Sequence, residues 1–489
     1  MSVLEKKKSK TIKIWLPAVV LLIAGLCLAG WWMQSKHISQ GQRDDYSIKI
    51  AEAEKSLNSK EYALALNKYY EATEIIPSNI SAYEGIISIL LQKNRPSDAF
   101  NIVDKSANAL SATDKSRLYV MVGDYYYESH DFNRAKEIYQ NGIGLGVENM
   151  NADLKLGKSL LNLGKINEAK RQFELEGYED EDLAEANLLK AYIYSLTDFN
   201  KASETLLSLT PTDKYVAYYE EFDKVLKSLD TDTKFNSAKL ARIFINNGYP
   251  YLAINILEPK ESEISEYIEG LYYLGRAYTE TGQYDRGIEV LEKSLGLGRM
   301  QAEVLWTMSR AYVGKNDLDS AIKTYSDTVA FVGKDITKDL AQEYIGFLLK
   351  NKQYLKAGES VTTMLTTTQP AFLYILGIQS NYELNEYNKI AYYLEQLGKL
   401  SLSDDEKKEY LYWTAKIQLK DEKLEEVNST LTELLTLDKY NPKYYLLLGR
   451  YQIAKGDSTS AKESFKKSIE YDLNNSVTDE TLKLLSNIE

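Results

Sequence analysis

YYLGRAYTETGQYDRGIEVLEKSLGLG, residues 272 to 298, reads as two short amphipathic helices joined by a Gly-containing turn. Variants of it recur about every 34 residues from near residue 46 to the C-terminus. A helix pair of this length cannot bury its apolar face alone, so a run of pairs must stack into one continuous core. The composition agrees with an all-α chain. Its 489 residues contain only 8 Pro, and 44% hydrophobic with 27% charged residues is an ordinary folded balance. No alternating strand pattern is present.

The segments line up on a common pattern. KEYALALNKYYEATEIIPSN carries Ala65, Tyr69, Ala72 and Pro77. RLYVMVGDYYYESHDFNRAKEIYQNGI carries Tyr119, Gly123, Tyr126, Ala135 and Tyr139. LKLGKSLLNLGKINEAKRQF carries Leu156, Gly157, Gly164, Ala169 and Phe173, and the last segment carries Tyr445, Leu448, Gly449, Gly456, Ala461 and Phe465. In spacing and residue type these resemble the tetratricopeptide repeat family, in particular its membrane-anchored, bacterial-type members. That pattern has a large residue at position 4, Leu-Gly at 7 and 8, Tyr at 11, Ala at 20, an aromatic at 24, Ala at 27 and Pro at 32. The resemblance implies an α-solenoid, a right-handed superhelix of helix pairs.

Two columns of small residues set the register. Ala65, Ala99, Ala135, Ala169, Ala202, Ala253, Ala321, Ala357 and Ala461 share position 20. Gly123, Gly157, Gly275, Gly377 and Gly449 share position 8. The two columns are expected to face each other, because only small side chains let two helix backbones approach closely. Repeats start near residues 46, 80, 116, 150, 183, 234, 268, 302, 338, 370, 408 and 442. The one irregular step contains an expected extra helix, Lys214 to Leu229. The organisation is therefore an N-terminal array over 46–210, an extra helix or joint over 211–233, a C-terminal array over 234–475 and a capping helix over 476–489.

The N-terminus is of another kind. Residues 1–13, MSVLEKKKSKTIK, are basic. Residues 14–33, IWLPAVVLLIAGLCLAGWWM, are uncharged and about 30 Å long as a helix, enough to cross a bilayer core. Trp15, Trp31 and Trp32 sit where interfacial anchors belong. The five Lys ahead of the span place residues 1–13 in the cytoplasm and the body outside it. The competing reading is a cleaved signal peptide, although the apolar run is long for one. Residues 34–45 read as a polar tether.

Chemistry is sparse. The single Cys27 lies in the apolar segment, so the body has no thiol for a disulfide, a zinc site or a nucleophile. His37 falls in the tether and His130 in a turn. No nucleophile–base pair, metal-ligand cluster or phosphate loop is visible, and no enzyme activity, cofactor or metal is expected. Gly177 to Glu185 is acidic but lacks the spacing of a calcium loop. The net charge is −12, with residues 1–45 near +4, so the acidic body repels nucleic acid.

One geometric signal remains. In the family the first helices line the concave face, with positions 2, 5, 9 and 12 pointing into it. Position 9 gives Arg276, Arg310, Lys416 and Arg450; position 5 beside the first three gives Tyr272, Trp306 and Tyr412. A ladder of cations beside rings suits an acidic peptide or a C-terminal carboxylate. Acids such as Glu269, Glu303 and Glu409 lie close enough in sequence to neutralise it. The expected function is a non-catalytic, membrane-anchored scaffold that binds protein or peptide partners in assembly or maintenance of an envelope complex. The alternative is a cytoplasm-facing adaptor, or a chaperone-like receptor that captures peptide tails.

Overall fold

In a computed structural model, residues 38–106 and 109–488 are described. The expected membrane span, 14–33, lies outside them. Among the described residues no helix is long and apolar enough to cross a membrane.

The described residues form 26 α-helices with no strand. They begin with the pairs α1 (Gln40–Asn58) and α2 (Tyr62–Ile75), α3 (Ile80–Gln92) and α4 (Pro96–Lys105), and α5 (Ala112–Glu128) and α6 (Phe132–Ile143). Next come α7 (Met150–Asn162) and α8 (Ile166–Phe173), then α9 (Asp180–Tyr194) and α10 (Phe199–Leu207). A single helix, α11 (Val216–Lys227), comes after them. Pairing resumes with α12 (Thr233–Asn246) and α13 (Pro250–Leu257), α14 (Ile268–Glu280) and α15 (Tyr284–Gly296), and α16 (Gln301–Gly314) and α17 (Leu318–Val332). The last pairs are α18 (Lys338–Lys350) and α19 (Tyr354–Leu365), α20 (Ala371–Glu383) and α21 (Tyr387–Leu397), α22 (Asp404–Lys420) and α23 (Leu424–Leu437), and α24 (Pro442–Ala454) and α25 (Ser458–Tyr471). The chain ends in α26 (Thr478–Ser486).

The tether reading of 34–45 needs correction at its second half. Residues 40–45 are the start of α1. Ser39 accepts from the Gln42 backbone while the Gln42 side chain accepts from the Ser39 backbone, a reciprocal cap that starts a helix in polar sequence.

All nine position-20 alanines are fully buried. The position-8 glycines expected to face that column meet another residue first, although Gly275 also lies against position 20, its added Cβ 3.2 Å from the Gly287 carbonyl. A Cβ on Gly157 would stand 2.5 Å from the ring of Phe173, on Gly275 2.6 Å from Leu291, and on Gly377 2.8 Å from Tyr393. Gly123 meets Tyr139 and Gly449 meets Phe465 in the same way. The position-8 glycine therefore receives the large residue at position 24. At four of the five a flat ring lies on the bare backbone, and at Gly275 the Leu291 side chain does the same.

A further column runs through the turns between paired helices. Lys60, Asn94, His130, Gly164, Gly248, Gly282, Asn316, Lys352, Asn385, Glu422 and Gly456 all have φ between 55° and 82°. Each ends a first helix in the left-handed region, which lets the chain reverse at once. His130 is exposed there.

Contacts divide the chain into two compact units, one reaching Ile89 and one taking most of the remaining chain. In the first, Ala53, Ala65 and Ala72 are fully buried, and Lys49 and Lys68 pair with Glu71 and Glu52 at 2.8 and 3.3 Å. In the second, first helices pack on the first helices of the next pair, as α12 on α14, α14 on α16, and α20 on α22. First helices therefore stand on the inner side of each bend. One core cluster runs from Val120 to Val290 and includes Tyr219, Phe222, Val225 and Leu226 of α11. The core is continuous through the stretch read as a joint.

Candidate functional site

The first-helix face of the second unit carries the position-9 cations, and the structure gives each a different surrounding. Tyr272 is buried among Ile288, Leu291, Val304 and Met308. Arg276 donates to Glu280 at 2.7 Å and reaches Asn246 at 3.4 Å. Arg310 makes a two-pronged pair with Glu343, one repeat further on, at 2.8 and 2.6 Å. Its guanidinium lies 4.5 Å from the centre of the Trp306 ring. Glu343 also accepts the Tyr325 hydroxyl at 2.7 Å. Burial alone would raise the Glu343 carboxyl, but the Arg310 and Tyr325 bonds outweigh it and hold it below the usual range. Arg450 pairs with Glu480 of α26. That helix is held by buried Asp472, which accepts from the backbones of Ser476, Val477 and Thr478.

Lys416 differs. Its ammonium lies 3.8 Å from the Tyr382 ring centre, 4.6 Å from Trp413 and 5.7 Å from Tyr412. No carboxylate is within ion-pair reach of it among the described residues; Glu383 acts on it only from a distance, and Glu409 takes the Trp413 indole N–H at 3.2 Å. Burial, and then the Arg450 charge, push its pKa down to about 8. The ring faces act the other way and hold the cation where it is. So of the four cations three are paired with acids, and one is desolvated, boxed by rings and without an ion-pair partner among the described residues.

The neutralising acids are mostly not those expected. Glu269 and Glu303 make no ion pair among the described residues. The partners of Arg310 and Arg450 come from the next repeat and from the terminal helix, which helix spacing alone does not reveal.

The same face holds a cavity of about 670 Å³ between α5, α7, α9, α11 and α12. It forms because the odd helix draws later pairs towards earlier ones: Tyr251 packs on Gly164, and Asn247 donates to the Tyr192 hydroxyl at 3.2 Å. Its charges close on themselves. Lys158 meets Glu185 at 2.6 Å, Lys155 meets Asp124 at 2.6 Å, Lys214 meets Glu181 at 3.0 Å, and Asn151 holds Asp182. Burial raises the Tyr127 and Tyr249 phenols, so both stay neutral. The lining is polar and charge-balanced. Sequence reasoning missed it because the odd helix that builds it belongs to no repeat. Among the described residues no group of three or more His, Cys, Asp or Glu is placed to hold a metal ion.

A family model for the tetratricopeptide repeat matches residues 268–297 and 442–475. RNA polymerase-associated protein CTR9 of Saccharomyces cerevisiae is 24% identical over 327 residues, which cover 65% of this chain and 28% of that protein. The chain thus spans under a third of that relative's length. Among solved structures, a tetratricopeptide repeat protein from Parabacteroides merdae aligns over 52% of this chain and 99% of its own, with 14% identity and a TM-score of 0.37. The structure of Naa15/Naa10 bound to HypK-THB aligns over 91% and 86%, with 13% identity and a TM-score of 0.36. The described residues form an all-helical solenoid that carries tetratricopeptide repeats at α14–α15 and α24–α25.

Proposed function

We propose that this chain is a non-catalytic scaffold, held to a membrane by residues 14–33 with its body on the extracytoplasmic side. It takes protein partners by their carboxylates, on acidic segments or C-terminal tails, along the face built by the first helices. It serves assembly or maintenance of an envelope complex. The observation that carries the partner reading is Lys416, a half-buried cation among Tyr382, Tyr412 and Trp413 with no ion-pair partner among the described residues. An incoming carboxylate supplies the missing charge, and the rings supply rigid apolar surface beside it.

The test is fluorescence anisotropy of labelled acetyl-(Glu-Ala)₄-amide, its Gln counterpart, and an otherwise neutral peptide with a free C-terminus. The acidic or free-carboxylate peptide binds, and Lys416→Gln weakens it about tenfold. A carboxylate raises the Lys416 pKa from its free value near 8, so binding takes up a proton and affinity falls as pH climbs past that value. Equal binding of all three peptides, or no loss in Lys416→Gln, removes this reading. Digestion of intact cells with external protease tests the placement. Protection of the body moves the cytoplasm-facing adaptor or chaperone-like receptor ahead.

A further inference from the structure

The odd helix also opens a space on the opposite side of the array. In the second unit a second helix is followed by the first helix of the next pair, packed on it as α16 is on α15; after α10 it is the unpaired α11 that follows. After α10 the chain instead turns through Leu209-Thr210-Pro211, where Pro cannot continue a helix and restrains the residue before it. Helix α11 then starts late and covers α10 only in part. A cleft of about 420 Å³ remains between the end of α10, this turn and α11. Leu206, Leu209, Pro211 and Val216 wall it, and Leu207 stands at its rim, 62% exposed. Glu220 and Asp223 of α11 close one end. Asp223 is half satisfied: Oδ2 takes the Lys227 ammonium at 2.6 Å, while Oδ1 is buried and accepts from no donor among the described residues.

We propose that this cleft docks a partner protein segment that inserts a leucine-sized side chain and sets a lysine or arginine beside it. The apolar walls set the first requirement. The carboxylates at one end set the second: Glu220 is exposed there and Asp223 has only one of its two oxygens paired, so a cation beside the apolar walls is attracted, a gain that an aliphatic ligand alone lacks. The same acids disfavour an anionic lipid surface. The cleft is independent of the first-helix face and has the opposite preference in charge. A chain with both surfaces holds an acidic segment on one side and a basic, leucine-bearing segment on the other.

The experiment uses the described body with labelled acetyl-Gly-Leu-Leu-Xaa-Leu-Gly-amide, in which Xaa is Lys, Gln or Glu. Anisotropy is read alongside thermal melting as a control for folding. The Lys peptide binds about tenfold tighter than the Gln peptide, and the Glu peptide binds weakest. Asp223→Asn removes the preference for Lys, and Leu207→Ser, a rim change that leaves the melt unaltered, weakens all three. Equal affinity for the three peptides, no binding up to about 1 mM, or indifference to Asp223→Asn overturns the proposal. So does Leu207-dependent dimer formation in sedimentation velocity, or Leu207-dependent pelleting with phosphatidylcholine–phosphatidylglycerol vesicles, since each names a different occupant.

Discussion

The ring of Phe173 lies on the bare backbone of Gly157, sixteen residues before it, so closely that a Cβ there would stand 2.5 Å from Cε1. Gly157→Ala forces the ring or the helix pair to shift and should destabilise by about 1–3 kcal/mol in urea unfolding. Gly346→Ala is the contrast. Gly346 is inside α18 with nothing within 4 Å of its added carbon, and Ala is the better helix former. It should stabilise by about 0.5–1 kcal/mol.

The turn column gives a second expectation. Glu422 sits at φ 60° between α22 and α23, a conformation costly for a residue with a Cβ. Glu422→Gly should raise the melting temperature, by about 1 kcal/mol of stability. Gly456→Ala, at φ 82° in the last such turn, should lower it by a similar amount although space is free around it.

Glu343 links Arg310, Tyr325 and stability to pH. Its folded pKa is depressed, so its contribution is present above the unfolded carboxylate value and is lost as pH falls through the folded one. Glu343→Gln should therefore cost about 1 kcal/mol at pH 7, with Arg310 exposed enough for water to replace part of the pair, and the gap should close in acid. Urea titrations of both proteins from neutral pH downward read this directly.

Lys416 has the opposite sign. Its folded pKa, near 8, is below the unfolded lysine value, so between those two the unfolded chain binds more protons and stability rises with pH. Lys416→Met keeps the stem and removes the desolvated charge. It should stabilise by roughly 1 kcal/mol at pH 7, and the gain should fade above about pH 10. A gain in stability with a loss of peptide binding is the pattern of a residue retained for contact with a partner.

The solenoid was legible because burial repeats: nine alanines at one spacing are hard to obtain otherwise, and all nine are buried. The pairing of Gly with the ring at position 24 was not, since two small columns and one large one allow more than one match. The turn column was invisible because Lys, Asn, His, Glu and Gly fill it interchangeably, and only φ unites them. The cations were legible as a row. Their neutralisation was not, because Glu343 and Glu480 reach them across repeat boundaries. Both cavities escaped for a related reason: each exists only where α11 interrupts the period.

At each of the five position-8 glycines the tightest fit closes inside one helix pair, not between pairs. Every such pair carries its own lock. A crossover or duplication that respects the 34-residue frame therefore copies a lock whole, whereas one out of frame separates a glycine from its position-24 partner. Lineages of this chain are expected to differ in length by whole pairs, with the ends of the array changing least in kind and the stretch around α11, which has no equivalent to recombine with, keeping its place.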